Sequence, residues 1–485
     1  LKVYKVVLFD CVAKGLEIQI AMIFDQQSIL ECLSLYEMFI SSHYYLKYYE
    51  ASILFVNELC IKSASVAIRN ADITCFLPLL THGQFLQNIP SMLGSIPFQR
   101  ILSERKNKFD NAIVVSAGPS LAKQLSLLKA YQDKAVIFCA DGALSMLEKE
   151  GIIPDYVTNL DCRDLAMKFF QNKENLKQSI IALECATHPN VVRSLKAENC
   201  MIILRNKALY QRFNLNDFGY IDTGTHVSHF SYTLALALGF KNIIMIGQDL
   251  AFDEEGNSHS KGFSYGEKYE GGANIDKFKI PAYAGKGEVL THIAWNDYRI
   301  KLEYLFACNE QKAKFYNATE GGARINFTEE LSFKECCVKL LTKEKPKFEL
   351  PKSLTKNRSD KLLVKFKEKI QKDQENAKRF LDDALALKQI LENILSKDFI
   401  LPLEFLEKVY QNIENFNHSL DTDEFIQDEV LRGAFAYRGK LISDVLKLHI
   451  KDETHFITAY IKAYHEWLLY FIEKLEQKYK SLSKV

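Results

Sequence analysis

Four short segments of this chain carry residue types that could do chemistry. Ser116-Ala117-Gly118-Pro119-Ser120-Leu121 follows the apolar run Ala112–Val115 and precedes a helix-like stretch. A strand, a small-residue turn and a helix start let backbone N–H groups approach an anion, with positive potential from the helix N-terminus behind them. An ordinary strand-to-helix turn has the same pattern, so the hexapeptide alone leaves both readings open. Asp222-Thr223-Gly224-Thr225-His226-Val227-Ser228 is a polar turn before the small-residue helix Tyr232–Leu238. Its amides and hydroxyls suit a phosphate or carboxylate held without a metal; N-capping by Thr or Ser is the alternative. Ile246-Gly247-Gln248-Asp249-Leu250-Ala251-Phe252 ends an apolar run and enters a polar loop containing His259. Asp249 there suits a ligand contact, support for a metal ligand, or a turn cap. Val289-Leu290-Thr291-His292 predicts the opening of a helix with an apolar stripe of Ala294, Tyr298, Leu302 and Leu305. His292, Asn296 and Arg299 fall on another face, where spacing alone makes His292 a surface residue.

Several familiar chemistries are excluded. The chain has no G-x-x-x-x-G-K-[ST], no G-x-G-x-x-G after a strand and no G-x-S-x-G elbow. Asp421-Thr422-Asp423 matches a two-carboxylate metal motif but lies far along the chain in a helical region, where solvated surface is the expectation. Asn317-Ala318-Thr319 fits a glycan acceptor, which has no meaning in a cytoplasmic chain.

The elements that must position these residues follow from the apolar rhythm. Short β-like runs at Ala112–Val115, Ala135–Cys139, Tyr156–Leu160, Ser179–Leu183, Met201–Leu204 and Asn242–Ile246 alternate with helical stretches. That grammar predicts βαβ units and a mostly parallel, Rossmann-like sheet with helices on both faces. Ligands then bind beyond the carboxyl ends of the strands, where Ser116–Ser120, Ala140–Gly142, Asp161, Glu184 and Gly247–Asp249 form one candidate crevice. The expected organisation is a smaller mixed α/β domain over 1–105, the central sheet domain over 106–342, and an all-α domain over 343–485. The charged, Pro-containing segment Lys343–Lys356 reads as a linker. Beyond it Leu363, Ile370, Ala377, Ala384 and Leu391 recur every seven residues, with Asp373 breaking the companion seam. This predicts an amphipathic helix packed within the chain. Aromatic residues crowd the last helical stretch (Phe456, Tyr460, Tyr464, Trp467, Tyr470).

The 485 residues carry a net charge of +1, with 48% hydrophobic and 25% charged residues. That composition is ordinary for a folded protein and gives no case for nucleic-acid binding. The eleven cysteines follow no paired pattern, which points to a reducing cytoplasm and thiols used as small core residues. No run is long and apolar enough to span a bilayer. The chain opens at Leu1, so the lack of a leader carries little weight.

Together these segments resemble the Maf family, motility-associated factors that act as flagellin nonulosonic-acid transferases. That family's central region is related to the methanogen pterin pyrophosphokinase-like proteins. The matching stretches are Ser116–Leu121, Cys139–Leu144, Asn159–Asp161, Thr223–Gly247, Gln248–Phe252 and Asn317-Ala318-Thr319-Glu320-Gly321-Gly322-Ala323-Arg324-Ile325, the last being the most specific. They cover a region from about 110 to 330, under half of the chain. The same region is similar to bacterial sialyltransferases that use CMP-sialic acid. Their G-N-G-P-S-L loop resembles Ser116–Leu121, and their strand end G-x-D resembles Gly247-Gln248-Asp249. Their catalytic histidine opens a helix five residues before an acid, as His292 precedes Asp297. Two positions depart from that pattern: the loop asparagine is Ala117, and a tyrosine after the strand-end Asp is Ala251. The help that tyrosines give the departing phosphate would pass to His259, Tyr265, Tyr269 or backbone donors.

The resemblance implies transfer of a sialic-acid-like sugar from its CMP donor to Ser or Thr hydroxyls of flagellin. It implies His292 as base, with His259 beside it in the catalytic set. Gly118, Pro119, Ser120, Thr223, Gly224, Thr225, Gly321 and Gly322 would hold the donor, and Asp141, Asp161 and Asp249 would contact its nucleotide or sugar. It implies no tightly bound cofactor and no metal ligand set, with Mg²⁺ assistance left open. The helical C-terminal part would grip flagellin. Two rivals stand beside it: a pterin-type pyrophosphokinase using Mg-ATP, and a non-catalytic flagellin chaperone.

Overall fold

The computed structural model describes residues 47–51 and 74–484, apart from 172–173, 271–275, 286 and 398–400. Most of the domain expected over 1–105 lies outside the described residues. Among them one compact unit runs from Thr81 to Ile370, and a second holds the helices from Gln371 onward.

The first unit is built on nine strands in the order β11-β10-β7-β1-β2-β3-β4-β5-β6. They are β1 (Asn111–Val115), β2 (Val136–Ala140), β3 (Tyr156–Asn159), β4 (Ile180–Glu184), β5 (Cys200–Arg205), β6 (Tyr220–Ile221), β7 (Asn242–Ile246), β10 (Lys314–Asn317) and β11 (Glu329–Glu330). Every pairing is parallel, and β1 lies between β2 and β7 with Asn111 level with Asn242 and Val115 with Ile246. All residues of β1, β2, β3 and β4 are buried. This is why these strands read as continuous apolar runs without alternation: helices cover both faces of a parallel sheet. The α/β, Rossmann-like class expected from the sequence is the class observed, and each expected strand lies within one residue of its place or one residue short.

A two-stranded antiparallel hairpin, β8 (Lys277–Pro281) with β9 (Glu288–His292), stands outside the main sheet. Val289–His292 is therefore strand, and the helix expected to open there starts at Ile293. Pairing with β8 fixes the extended backbone that the apolar spacing did not reveal.

Helices α1 (Phe76–Gly94), α2 (Phe98–Arg105), α3 (Val227–Ala237) and α4 (Ile293–Ala307) flank the sheet. Phe98, Ile101, Phe230, Tyr232, Leu302 and Phe306 join the strand residues in one core. The segment read as a linker is fastened to this unit. Arg105 donates to Glu349 O, Arg100 to Lys352 O, and Lys345 pairs with Asp155 at 2.6 Å.

In the second unit, α5 (Lys356–Leu395), which begins in the first, is followed by α6 (Leu403–Thr422), α7 (Arg432–Lys447) and α8 (Glu453–Leu482). The α5 seam is Phe366, Ile370, Asp373, Ala377, Phe380, Ala384, Leu387, Leu391 and Ile394, all buried. Asp373 stays in the seam, 2% exposed, instead of breaking it. Tyr460, Tyr464 and Trp467 are interior residues, with the Trp467 indole donating to Ala434 O at 2.7 Å. Asp423 caps the turn after α6 by accepting from Phe425 N at 2.9 Å and pairs with Arg379.

Candidate active site

The chain leaves β1 toward β2 on one side and returns at β7 on the other. Beyond their carboxyl ends opens the crevice that such a reversal creates. The two exit loops are sewn together by their own backbone. Ser116 N donates to Ile246 O at 3.0 Å, and Gly118 N donates to Gly247 O at 2.8 Å. Gly247 has φ +63°, and a Cβ there would stand 2.2 Å from Ser116 O. Gln248 Oε1 accepts from Ser116 Oγ at 2.9 Å and Tyr232 Oη at 3.3 Å.

Asp249 sits at the centre, 4% exposed. Its carboxylate accepts from Ser120 N at 3.2 and 3.3 Å and from Ser120 Oγ at 2.8 Å. Glycines surround it. A Cβ on Gly118 would lie 2.1 Å from Asp249 Oδ2, one on Gly321 3.5 Å from Oδ1, and one on Gly322 2.4 Å from the Asp249 Cα. The Asn317–Ile325 signature is the loop beyond β10, and Ala323 N donates to Asp249 O at 2.7 Å. These contacts change the meaning of the Ser116–Leu121 loop. Gly118 N, Ser120 N and Leu121 N are all bonded within the fold, and Pro119 has no N–H. The anion cradle expected of this loop is filled by the chain's own carboxylate. Burial pushes the Asp249 carboxyl up to about 7, against the Ser120 hydrogen bonds that lower it.

A second buried carboxylate follows β2. Asp141 is 5% exposed and accepts from Asn159 Nδ2 at 2.5 Å and Gly142 N at 2.7 Å. Burial pushes it too to about 7. Asp161 is turned to other work: Arg163 binds it through N, Nε and Nη2 at 2.9–3.0 Å. Glu184 is buried against Arg205 at 3.1 Å.

Two helices point their N-termini toward this end of the sheet, and each is capped by a histidine. His292 Nδ1 accepts from Trp295 N at 3.3 Å, and His226 Nδ1 accepts from His229 N at 3.3 Å. A backbone N–H can only donate, so each neutral ring carries its proton on Nε2. His292 is 6% exposed, not a surface residue, and burial holds its pKa below the usual range. Asp297 does not orient it; that carboxylate pairs with Lys301 at 3.0 Å.

Helix α3 starts five residues before the Tyr232 expected from sequence, and its cap is His226 rather than Thr or Ser. Thr223 is fully buried and Thr225 exposed. Gly224 has φ +68°, donates to Asp222 Oδ1 at 2.9 Å, and lies against the His229 ring.

The polar loop after β7 folds over the crevice. Ser260 N donates to Ala117 O at 2.9 Å, and Ser260 Oγ accepts from Ala122 N at 3.1 Å. His259 stacks on Phe263 at 3.9 Å, and its Nδ1 lies 2.9 Å from Ser258 Oγ. That hydroxyl reaches the carbonyls of Glu267 and Tyr269, each at 2.8 Å. Its proton goes to a carbonyl, so it accepts from His259 Nδ1–H and leaves Nε2 with a lone pair. Burial pushes His259 down to about 4. Trp295 touches both histidines, 4.0 Å from His292 and 6.5 Å from His259. Tyr265 donates its hydroxyl to Leu165 O, and Tyr269 stacks on it at 4.9 Å.

The structure thus gathers Gly118, Ser120, Asp249, Gly321 and Gly322 in one nest, and His259 with His292 around Trp295. Thr291 Oγ1 bonds Leu250 O at 2.8 Å, joining the two groups. Sequence reasoning quoted Asn159 and His226 within longer segments without giving either a role, and missed His229 and Trp295. The only signal for the histidines was their spacing of three across a helix start. Among the described residues no group of three or more His, Cys, Asp or Glu is placed to hold a metal ion.

Residues 83–255 match the family model described as 6-hydroxymethylpterin diphosphokinase MptE-like. The fold is similar to the solved structure of the MAf glycosyltransferase from Magnetospirillum magneticum AMB-1, with a TM-score of 0.58 and 16% identity over 97% of this chain and 70% of that one. No curated protein matches the chain in sequence. Both findings bear out the resemblance read from the sequence, and the structural likeness establishes a shared fold.

Proposed function

We propose that this chain is a glycosyltransferase that moves a nonulosonic acid, of pseudaminic or legionaminic type, from a CMP donor to Ser or Thr hydroxyls of flagellin. The observation that carries the reading is the switch-point crevice, in which His259 and His292 flank one indole and hold opposite tautomers. The flagellar setting and the donor's identity rest on the family resemblance.

In this mechanism CMP departs as an anion, and the sugar passes through an oxocarbenium-like state. His292 presents Nε2–H, which suits a donor to the departing phosphate. His259 presents a bare Nε2, which suits acceptance of the acceptor hydroxyl's proton. This exchanges the roles that the sialyltransferase resemblance implied. The donor's negative charge raises the His259 pKa from its low free value, bringing it toward the useful range. Asp141 and Asp249, each near neutrality, contact nucleotide or sugar hydroxyls as acceptors or, when protonated, as donors. Asp161 belongs to the crevice rim through its Arg163 pair.

Flagellin contacts belong to the polar outer faces of the C-terminal helices, because Tyr460, Tyr464 and Trp467, three of the aromatic residues that suggested this role, are buried in their interior. A cytoplasmic location fits the eight described cysteines, all free. No described helix is long and apolar enough to cross a membrane. The test is intact-mass measurement of flagellin incubated with this protein and a CMP-nonulosonate. Unmodified flagellin would sink the reading.

The match over residues 83–255 favours one alternative, a pyrophosphokinase using Mg-ATP. Heat protection by Mg-ATP and not by CMP would select it.

A further inference from the structure

Charge is unevenly spread around the first turns of α5. Arg358, Leu362, Lys365 and Lys369 are spaced i, i+4, i+7 and i+11, which at about 100° per residue puts them on one stripe. Asp360 and Glu368, the acids of the same turns, fall on other faces. Facing the stripe is the turn Arg212-Phe213-Asn214, and together they line a cavity of about 210 Å³. That is room for a multi-atom ligand, since one water takes about 30 Å³ of the liquid.

Four cations thus surround one small cavity in a chain whose net charge is +1. Asp217 answers one of them, holding Arg358 at 2.7 Å. Among the described residues Lys365 and Lys369 make no ion pair. They are like charges one turn apart, an arrangement that weakens a helix. Further along, the chain sets opposite charges at this spacing, as Lys388 with Glu392 and Lys408 with Glu404. The walls are fixed: Phe213 packs on Phe366 at 4.8 Å and on Phe85 at 5.5 Å, and Ser359 Oγ donates to Leu93 O at 2.9 Å. The turn follows β5, which stands four strands from β1, about 19 Å at roughly 4.8 Å per strand. The cavity is therefore separate from the switch-point crevice.

We infer that this cavity is a second ligand site, which takes a small multivalent oxyanion of the diphosphate class. Lys365 and Lys369 stand about 6 Å apart along the helix axis, a span that two linked phosphoryl groups bridge and a single carboxylate does not. Their ammonium groups and the Arg212 guanidinium supply charge-assisted hydrogen bonds, over an apolar floor of Phe213 and Leu362. The site stands independently of the function proposed above.

Calorimetric titration of the full-length chain with inorganic pyrophosphate, at about 0.15 M ionic strength, tests it. The variant Lys365→Gln with Lys369→Gln should bind about tenfold more weakly, the size of one hydrogen bond to a charged group. Lys356→Gln with Lys367→Gln removes the same charge from outside the stripe and should bind like wild type. Asp217→Asn releases Arg358 and should bind more tightly, a gain that damage to the fold would not produce. No binding by wild type, unaltered affinity in the Lys365 and Lys369 double variant, an equal loss in the Lys356 and Lys367 control, or no gain in Asp217→Asn overturns the site. CDP is titrated alongside: a lysine-dependent affinity above that of pyrophosphate identifies a nucleotide as the source of the diphosphate, and a lower one identifies the free ion.

Discussion

Ser120 and Asp249 are joined at three points: the serine amide reaches both carboxylate oxygens, at 3.2 and 3.3 Å, and the hydroxyl reaches one of them at 2.8 Å. The bond ties the loop after β1 to the end of β7 across the mouth of the crevice. An internal carboxylate therefore occupies the place where a substrate anion was expected, and the crevice must receive anions elsewhere.

Replacing Ser120 with Ala should destabilise the protein by about 1–3 kcal/mol, because a buried carboxylate loses a hydroxyl donor. Urea denaturation measures this. An unchanged midpoint would show that the pair does not stiffen the crevice.

Asp249 and Asp141 make the pH profile informative. Both carboxyls rise from 3.8 to about 7 on folding, so the native state keeps protons that the unfolded chain releases. Their contribution to stability is full below pH 3.8 and is lost as pH rises through about 7. His259, lowered from 6.5 to about 4, works in the opposite sense: its contribution is present above pH 6.5 and is lost as pH falls through about 4. Asp249→Asn isolates the carboxyl. Relative to wild type the variant should gain on the order of a few kcal/mol between pH 4 and 8, read from melting curves at matched ionic strength. A difference that stays flat across that range would contradict a protonated Asp249.

His292→Asn keeps a cap on α4 and removes the Nε2–H. It should fold like wild type and lose roughly 10²–10³-fold in kcat, the scale of one transition-state donor. His259→Ala should lose roughly 10²–10⁴-fold. A pH–rate profile separates the two, since only loss of the base should remove the acidic limb. Full activity in either variant removes that histidine from the mechanism.

The second unit offers an independent check on packing. Lys478, fully buried, lies 2.7 Å from Asp428 and 3.8 Å above the Phe425 ring. Lys478→Met strands Asp428 and should cost about 3–5 kcal/mol, with much of the loss recovered by adding Asp428→Leu. Denaturant melts of the single and double variants measure the coupling. Additive losses would show that the two charges do not act as a pair.

Much of the sheet was legible because its strands are buried on both faces, so burial alone wrote them as apolar runs. Lys277–Pro281 and Glu288–His292 escaped because their hairpin is mostly solvent-facing, and β6 and β11 are two residues each. Asp249 was legible as a polar residue at a strand end. Its partner was not, since Ser120 and Asp249 are 129 positions apart. Asp161 had the right address but is bound by an arginine two residues away. The His226 cap was hidden because cap preference points to Ser, Thr, Asp and Asn, which made the Thr223 and Thr225 hydroxyls the expected caps; His292 was legible as the residue opening its helix.

The bare positions at 118, 321 and 322 have a genetic corollary. A methyl at 118 meets carboxylate and carbonyl oxygen at once, and one at 322 meets main chain. Selection from a randomised library at these codons should return glycine at 118 and 322 almost without exception, while 321, whose nearest neighbours stand at 3.5 Å and beyond, should accept alanine.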